Sequence, residues 1–180
     1  MRLPELHLAL SKNAINPRNN HIFVNQKHVV ATNNHFMVIH DRNLLDFIYA
    51  VPDELPEEFY IERGQWVPFT KEFTEAEYKK EIGIIVTDKK GMKQMVAIKP
   101  ISEFVYPKYE SVIPSNFNAV EAIGLSPEQL VDLKKACTIN RSHFLKLTFT
   151  SEKTIVGVDV FSIDGKVEGV EAYIMPYIAS

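Results

Sequence analysis

The six histidines, the single cysteine and the many carboxylates of this 180-residue chain are the side chains best able to do chemistry, and their spacing argues against it. No two histidines have the His-x-x-x-His spacing that sets two imidazoles on one metal ion from a helix, and none adjoins a cysteine. His21 and His28 are separated by a turn. His35 and His40 lie along one predicted strand at an odd spacing, which sends them to opposite faces. Surface or hydrogen-bonded structural roles are expected for them. Cys137 is the only cysteine, so no internal disulfide and no cysteine-rich metal site can form, and it is expected in the core. The phosphate cradles Gly-x-x-x-x-Gly-Lys-Ser/Thr and Gly-x-Gly-x-x-Gly, and the nucleophile elbow Gly-x-Ser-x-Gly, do not occur among the seven glycines. Glu72, Glu75, Glu77 and Glu81 alternate with Lys71, Lys79 and Lys80 as a solvated helix face would, not as a pair of catalytic acids. Neither a cofactor, nor a metal, nor an enzymatic activity is expected.

Binding chemistry has better candidates. Tyr106-Pro107-Lys108-Tyr109 stands in a stretch of little periodicity, and Tyr173-Ile174-Met175-Pro176-Tyr177 begins in the last two residues of the last predicted strand and runs on past it. Two readings are open for such aromatic and apolar residues. They cover the edge of a sheet, or they line an apolar surface groove that receives a partner peptide.

The elements that must hold these residues fall into three stretches of roughly sixty residues, each a helical segment followed by two or three strands. In the first, Leu3, Leu6 and Leu10 have helical spacing, and His21 to Val24, Val29 to Thr32 and Phe36 to His40 read as strands around the turn Asn25-Gln26-Lys27. The second opens with a short strand, Glu58 to Ile61. A helix is expected from Trp66 to Lys80 with Pro68 in its first turn, then a hairpin of Ile82 to Thr87 and Met92 to Lys99 around Asp88-Lys89-Lys90-Gly91. The third has a helix with Ser126 as N-cap, Pro127 at its first position, Glu128 in its first turn, and Leu130, Leu133 and Cys137 on one face. Strands follow at Phe144 to Phe149, Thr154 to Val160 and Val167 to Ile174. Pro100, Pro107 and Pro114 mark an extended segment before that helix. The sheets are expected to be antiparallel.

Three segments resemble, in order, the bacterial replicative sliding clamp, the beta subunit of DNA polymerase III. Val30-Ala31-Thr32-Asn33-Asn34-His35-Phe36-Met37-Val38 is similar to that family's VATDGHRLAV turn, Val105-Tyr106-Pro107-Lys108-Tyr109-Glu110-Ser111-Val112-Ile113-Pro114 to its FPDYRRVLP connector, and Ala172-Tyr173-Ile174-Met175-Pro176-Tyr177 to its YVVMPM ending. The resemblance implies an α+β, DNA-clamp-like fold of helix-plus-antiparallel-strand half-domains. It also implies a hydrophobic pocket for the clamp-binding peptides of polymerases and their partners, walled by Thr32, Asn34, His35, Phe36, Met37, Pro107, Val112, Ile174, Met175, Pro176 and Tyr177. The family's Asp-Gly turn is Asn33-Asn34 here, its next arginine is Phe36, and the paired arginines of its connector are Glu110-Ser111, so positive charge is lost around the pocket.

The family's subunit has three domains of two halves each and closes a ring as a dimer, whereas this chain has room for about three halves. A two-half domain is expected over residues 1–113 (halves 1–52 and 53–113), a connector at 114–119, and a third half at 120–180 packed on the first. Hydrophobic residues at 46%, charged residues at 24% and a net charge of −3 describe an ordinary globular chain without a general affinity for polyanions. No apolar run approaches the roughly 20 residues that span a bilayer, and Met1-Arg2-Leu3-Pro4-Glu5 lacks the apolar stretch of a signal peptide, so a cytoplasmic address in a bacterium, or in a phage-infected one, is expected. The expected function is that of a replication processivity or scaffold factor. It would bind double-stranded DNA as a homo-oligomer, through helix lysines such as Lys12, Lys71, Lys79, Lys80, Lys134 and Lys135, or clamp-binding peptides of a DNA polymerase, or both. The alternative is an adaptor or competitor that binds those peptides without encircling DNA.

Overall fold

Runs of β-branched and aromatic residues set most of the secondary structure. The computed structural model describes residues 1–12, 19–33, 35–49, 54–103, 105–106, 108–113, 125–138, 144–149, 155–162 and 164–175. His21–Val24 (β1), His28–Thr32 (β2) and Phe36–Asp41 (β3) form an antiparallel meander. Its first turn is fixed by Asn25, whose Oδ1 accepts the amides of Lys27 at 2.9 Å and His28 at 2.7 Å. Phe59–Glu62 (β4) pairs with β1 on its outer side. Phe73–Lys79 (β5), Gly83–Asp88 (β6) and Lys93–Val96 (β7) make a separate three-stranded sheet. Phe144–Phe149 (β8), Val156–Ser162 (β9), Gly165–Lys166 (β10) and Val170–Ile174 (β11) return to the first sheet, whose order is β10-β9-β11-β3-β2-β1-β4 with β8 beside β9. The fold is α+β, with few helices and antiparallel strand pairs.

The third stretch of the chain completes its sheet on the first stretch of the same molecule. β11 runs antiparallel to β3 with Tyr173 opposite Met37 and Ile174 opposite Phe36. β3 reads as an unbroken apolar run because both its faces are covered. Phe36 and Val38 join the main core with Leu6, Ala9, Leu133 and Ala136, while Met37 and Ile39 join a smaller cluster with Tyr60, Tyr106 and Tyr109 on the opposite face. His40 reaches the helical side. Its Nε2 donates to the Ala136 carbonyl at 3.0 Å, and burial lowers its pKa to about 4.

Of two α-helices among the described residues, Val67–Thr70 (α1) is a single turn and Pro127–Cys137 (α2) is the long one. α2 starts as its sequence dictates. Ser126 Oγ accepts the Gln129 amide at 3.4 Å, Pro127 occupies the first turn, and Leu133, Ala136 and Cys137 face the core. No helix of the described residues is long and apolar enough to cross a membrane.

Two expected helices are corrected. From Trp66 to Lys80 the chain forms only the end of a 3-10 turn, Arg63–Trp66, then α1, then strand β5. Phe73, Ala76 and Tyr78 are buried while Thr74, Glu75 and Lys79 are exposed, a period of two reset by a bulge between Phe73 and Glu75. Of the acidic and basic residues whose alternation mimics a helix face, Glu75, Glu77 and Lys79 share one face of this strand, and Lys71, Glu72, Lys80 and Glu81 flank its ends. Leu3, Leu6 and Leu10 are buried, yet only Leu6–Ala9 turns, as a 3-10 helix. The backbone there is held from outside: Leu3 N donates to Phe69 O at 2.8 Å and the Trp66 indole to Pro4 O at 2.9 Å. The connector expected at 114–119 lies outside the described residues.

Candidate functional site

Register builds the first wall of the site. Opposite each other on β3 and β11, Met37 faces Tyr173 and Phe36 faces Ile174, and the Met175 amide donates to the His35 carbonyl at 2.6 Å just beyond the pairing. The β2–β3 turn is drawn tight by Asn33, whose Oδ1 accepts the amides of His35 at 2.9 Å and Phe36 at 3.1 Å. Thr32 Oγ1 donates to the Phe36 carbonyl at 3.0 Å.

The second wall is the segment around Tyr106 and Tyr109, which crosses the sheet face opposite α2. Tyr106 stacks on Phe23 with ring centroids 4.8 Å apart and lies 6.2 Å from Tyr60. Burial pushes its phenol well above the ordinary tyrosine range, and its hydroxyl has no hydrogen-bond partner among the described residues. Tyr109 is tied to the β1–β2 hairpin: its hydroxyl accepts from Asn25 Nδ2 at 3.1 Å and lies 2.8 Å from His28 Nδ1. Burial, with a smaller contribution from Glu110, pushes that phenol up to about 12. The two tyrosines thus cover the sheet and frame an opening at once, so the two readings of them are not exclusive.

Between the walls lies a cavity of about 210 Å³. It is lined by Thr32, His35, Phe36 and Met37 from the β2–β3 turn, by Tyr106, Lys108, Tyr109 and Val112 from the crossing segment, and by Ile155, Tyr173, Ile174 and Met175. Phe36 and Met37 form a buried floor, whereas Val112 is 50% and Met175 41% exposed, an apolar lip open to solvent. Burying one apolar side chain here would contribute on the order of 1.5–3 kcal/mol. Lys108 supplies a cation at the rim. Among the described residues no group of three His, Cys, Asp or Glu could hold a metal.

Of the pocket walls implied by the resemblance, Thr32, His35, Phe36, Met37, Val112, Ile174 and Met175 line this one cavity, and Asn34, Pro107, Pro176 and Tyr177 lie outside the described residues. Tyr106, Tyr109 and Tyr173, offered by the groove reading of the aromatic segments and not by the resemblance, line it as well, and so do Lys108 and Ile155. Ile155 carries no sequence signal. The lysines expected on helices are dispersed. Lys134 and Lys135 are on α2, but Lys79 ends β5, Lys12, Lys71 and Lys80 stand in turns or irregular chain, and Lys79 pairs with Glu77 at 3.4 Å.

No family model matches the sequence, and no curated protein matches it. Solved structures do. The DNA polymerase sliding clamp of Bacillus subtilis is 12% identical with a TM-score of 0.53, and the alignment covers 99% of this chain and 64% of that one. DNA polymerase III subunit beta of Borrelia burgdorferi, solved in complex with a natural product, is 12% identical with a TM-score of 0.57, covering 98% and 62%. The Helicobacter pylori beta clamp in complex with carprofen is 10% identical with a TM-score of 0.54, covering 97% and 63%. This chain spans a little under two thirds of the length of those proteins, and over nearly all of its own length it has the fold of a bacterial DNA polymerase sliding clamp.

Proposed function

We propose that this chain is a non-enzymatic, clamp-like docking protein of DNA replication, whose groove receives a short apolar peptide of a polymerase-type partner in the bacterial cytoplasm. The observation that carries the reading is convergence: three segments far apart in sequence, around Met37, Val112 and Met175, meet in one apolar cavity with an open lip. Methionines at floor and lip suit a site that accepts several partners, because the unbranched thioether adapts to different anchors.

Direct titration tests this. A fluorescein-labelled octapeptide with a leucine and a phenylalanine as anchors is expected to bind the full chain with micromolar affinity, read by fluorescence anisotropy. Val112→Glu and Met175→Glu, both at exposed positions, are expected to weaken it at least tenfold with the thermal midpoint unchanged. Binding that ignores both substitutions would sink the groove as the site. Encirclement of DNA by an oligomer is the weaker architecture, because Lys71, Lys79 and Lys80, expected together on a helix face, stand instead on strand β5 and in the chain at its two ends.

A further inference from the structure

Beside the groove, on the same face of the sheet, is a second cavity of about 250 Å³ that no sequence motif announces. Its floor follows from register. Gly157 of β9 lies opposite Thr148 of β8 and opposite Tyr173 of β11, so that row has no side chain at its centre. Two residues along each strand, hence on the same face, stand Asp159 and Glu171, and both line the cavity.

Tyr173 lines both cavities, and its hydroxyl donates to Glu171 Oε2 at 3.1 Å, so a carboxylate is held at their boundary. Three carboxylates and two lysines surround the cavity, and one of the lysines, Lys166, lines it. Asp159, Glu168 and Glu171 all act on Lys166, whose ammonium is taken by Asp159 at 2.7 Å, and Lys146 stands across from Asp159 on β8. Among the described residues no cation is in ion-pair contact with Glu171. On the other flank of the groove, where Tyr106 and Tyr109 cross the sheet, Lys108 lines the rim and the Glu110 carboxylate acts on Tyr109.

We propose that the second cavity is a charge-reading annex of the groove, in which a partner peptide anchored by apolar side chains against Met37 and Met175 passes Tyr173 and sets a lysine or arginine against Glu171. This inference rests on the reading of the groove as a peptide site. A carboxylate already held by Tyr173 loses little freedom on meeting a cation, and the aliphatic stem of a lysine or arginine fits along the Gly157 row. An ion pair at such a rim sets orientation and discrimination more than affinity.

The test uses four labelled octapeptides with one apolar core, carrying Lys or Glu immediately before it or immediately after it, titrated against the full chain at low ionic strength. One Lys peptide is expected to bind about fivefold tighter than its Glu counterpart, a preference that weakens with added salt. Glu171→Gln keeps an acceptor for Tyr173 and should abolish the preference. Gly157→Val, which fills the annex floor, should abolish it too while the apolar core still binds. Equal binding of Lys and Glu peptides on both flanks, or a preference that survives Glu171→Gln, would overturn the annex and leave the groove standing. Failure of all four peptides to bind would overturn the groove and the annex together.

Discussion

His40 shows at the scale of one residue how a polar group becomes structural. It is 4% exposed, and its Nε2 donates to Ala136 O, tying β3 to the last turn of α2. Burial favours the neutral ring and lowers the pKa from 6.5 to about 4, with the hydrogen bond to Ala136 and, less, Asp41 acting the other way. The folded pKa is below the unfolded one, so the unfolded chain binds the proton first. Stability is complete above about pH 6.5 and is lost as pH falls toward 4, by up to about 3 kcal/mol. Thermal midpoints of the wild-type chain are therefore expected to fall on acidification from pH 7 to pH 5, and those of His40→Gln, which retains a donor for Ala136, to fall less steeply. Equal slopes would remove His40 from the account. His7, whose pKa is also lowered by burial, leaves some slope in the variant. That His35 and His40 occupy opposite faces was legible from parity. Which of them is buried was not, because it depends on α2.

At the scale of the element, the β5–β6–β7 sheet turns on Gly83. Its φ is +103°, and a Cβ there would stand 2.5 Å from the Val96 carbonyl oxygen, which as backbone of β7 cannot swing aside. Gly83→Ala is expected to lower stability by about 2 kcal/mol or more. Gly64→Ala, in the turn Arg63–Trp66 with nothing within 4 Å of its Cβ, is expected to shift it by less than about 1 kcal/mol. Urea titration of both checks the contrast, and comparable losses would mean that the close approach is relieved by movement. This is also the region where the expected helix became a strand. Ile84 and Val86 of β6 are buried beneath a sheet that needs β5 as an edge, and that partner outweighs the local charge pattern.

At the scale of the molecule, the sheet joins the first and third stretches within one chain, so the groove needs no second copy to close. The docking reading accordingly expects a molar mass by light scattering after gel filtration that a short linear duplex does not change at moderate salt. A discrete tetramer appearing with duplex would instead support a ring, since four chains of three halves supply the twelve halves of a six-domain circle. It would send attention back to Lys134 and Lys135 on α2.

By itself the sequence determined the helix at Pro127–Cys137, nearly every strand, and the three segments whose types suit a groove, because N-caps, turn residues and period-two alternation are local properties read within a few residues. The tertiary structure decided what no local pattern records. The register of β11 on β3 sets Tyr173 beside Met37, the crossing of Tyr106 over Phe23 raises the second wall, and the row through Gly157 opens a cavity next to the first. Each depends on residues more than sixty positions apart meeting in space or, for Gly157, on which strands flank it. Such meetings are chosen by the burial of the whole core, not by the propensity of any segment.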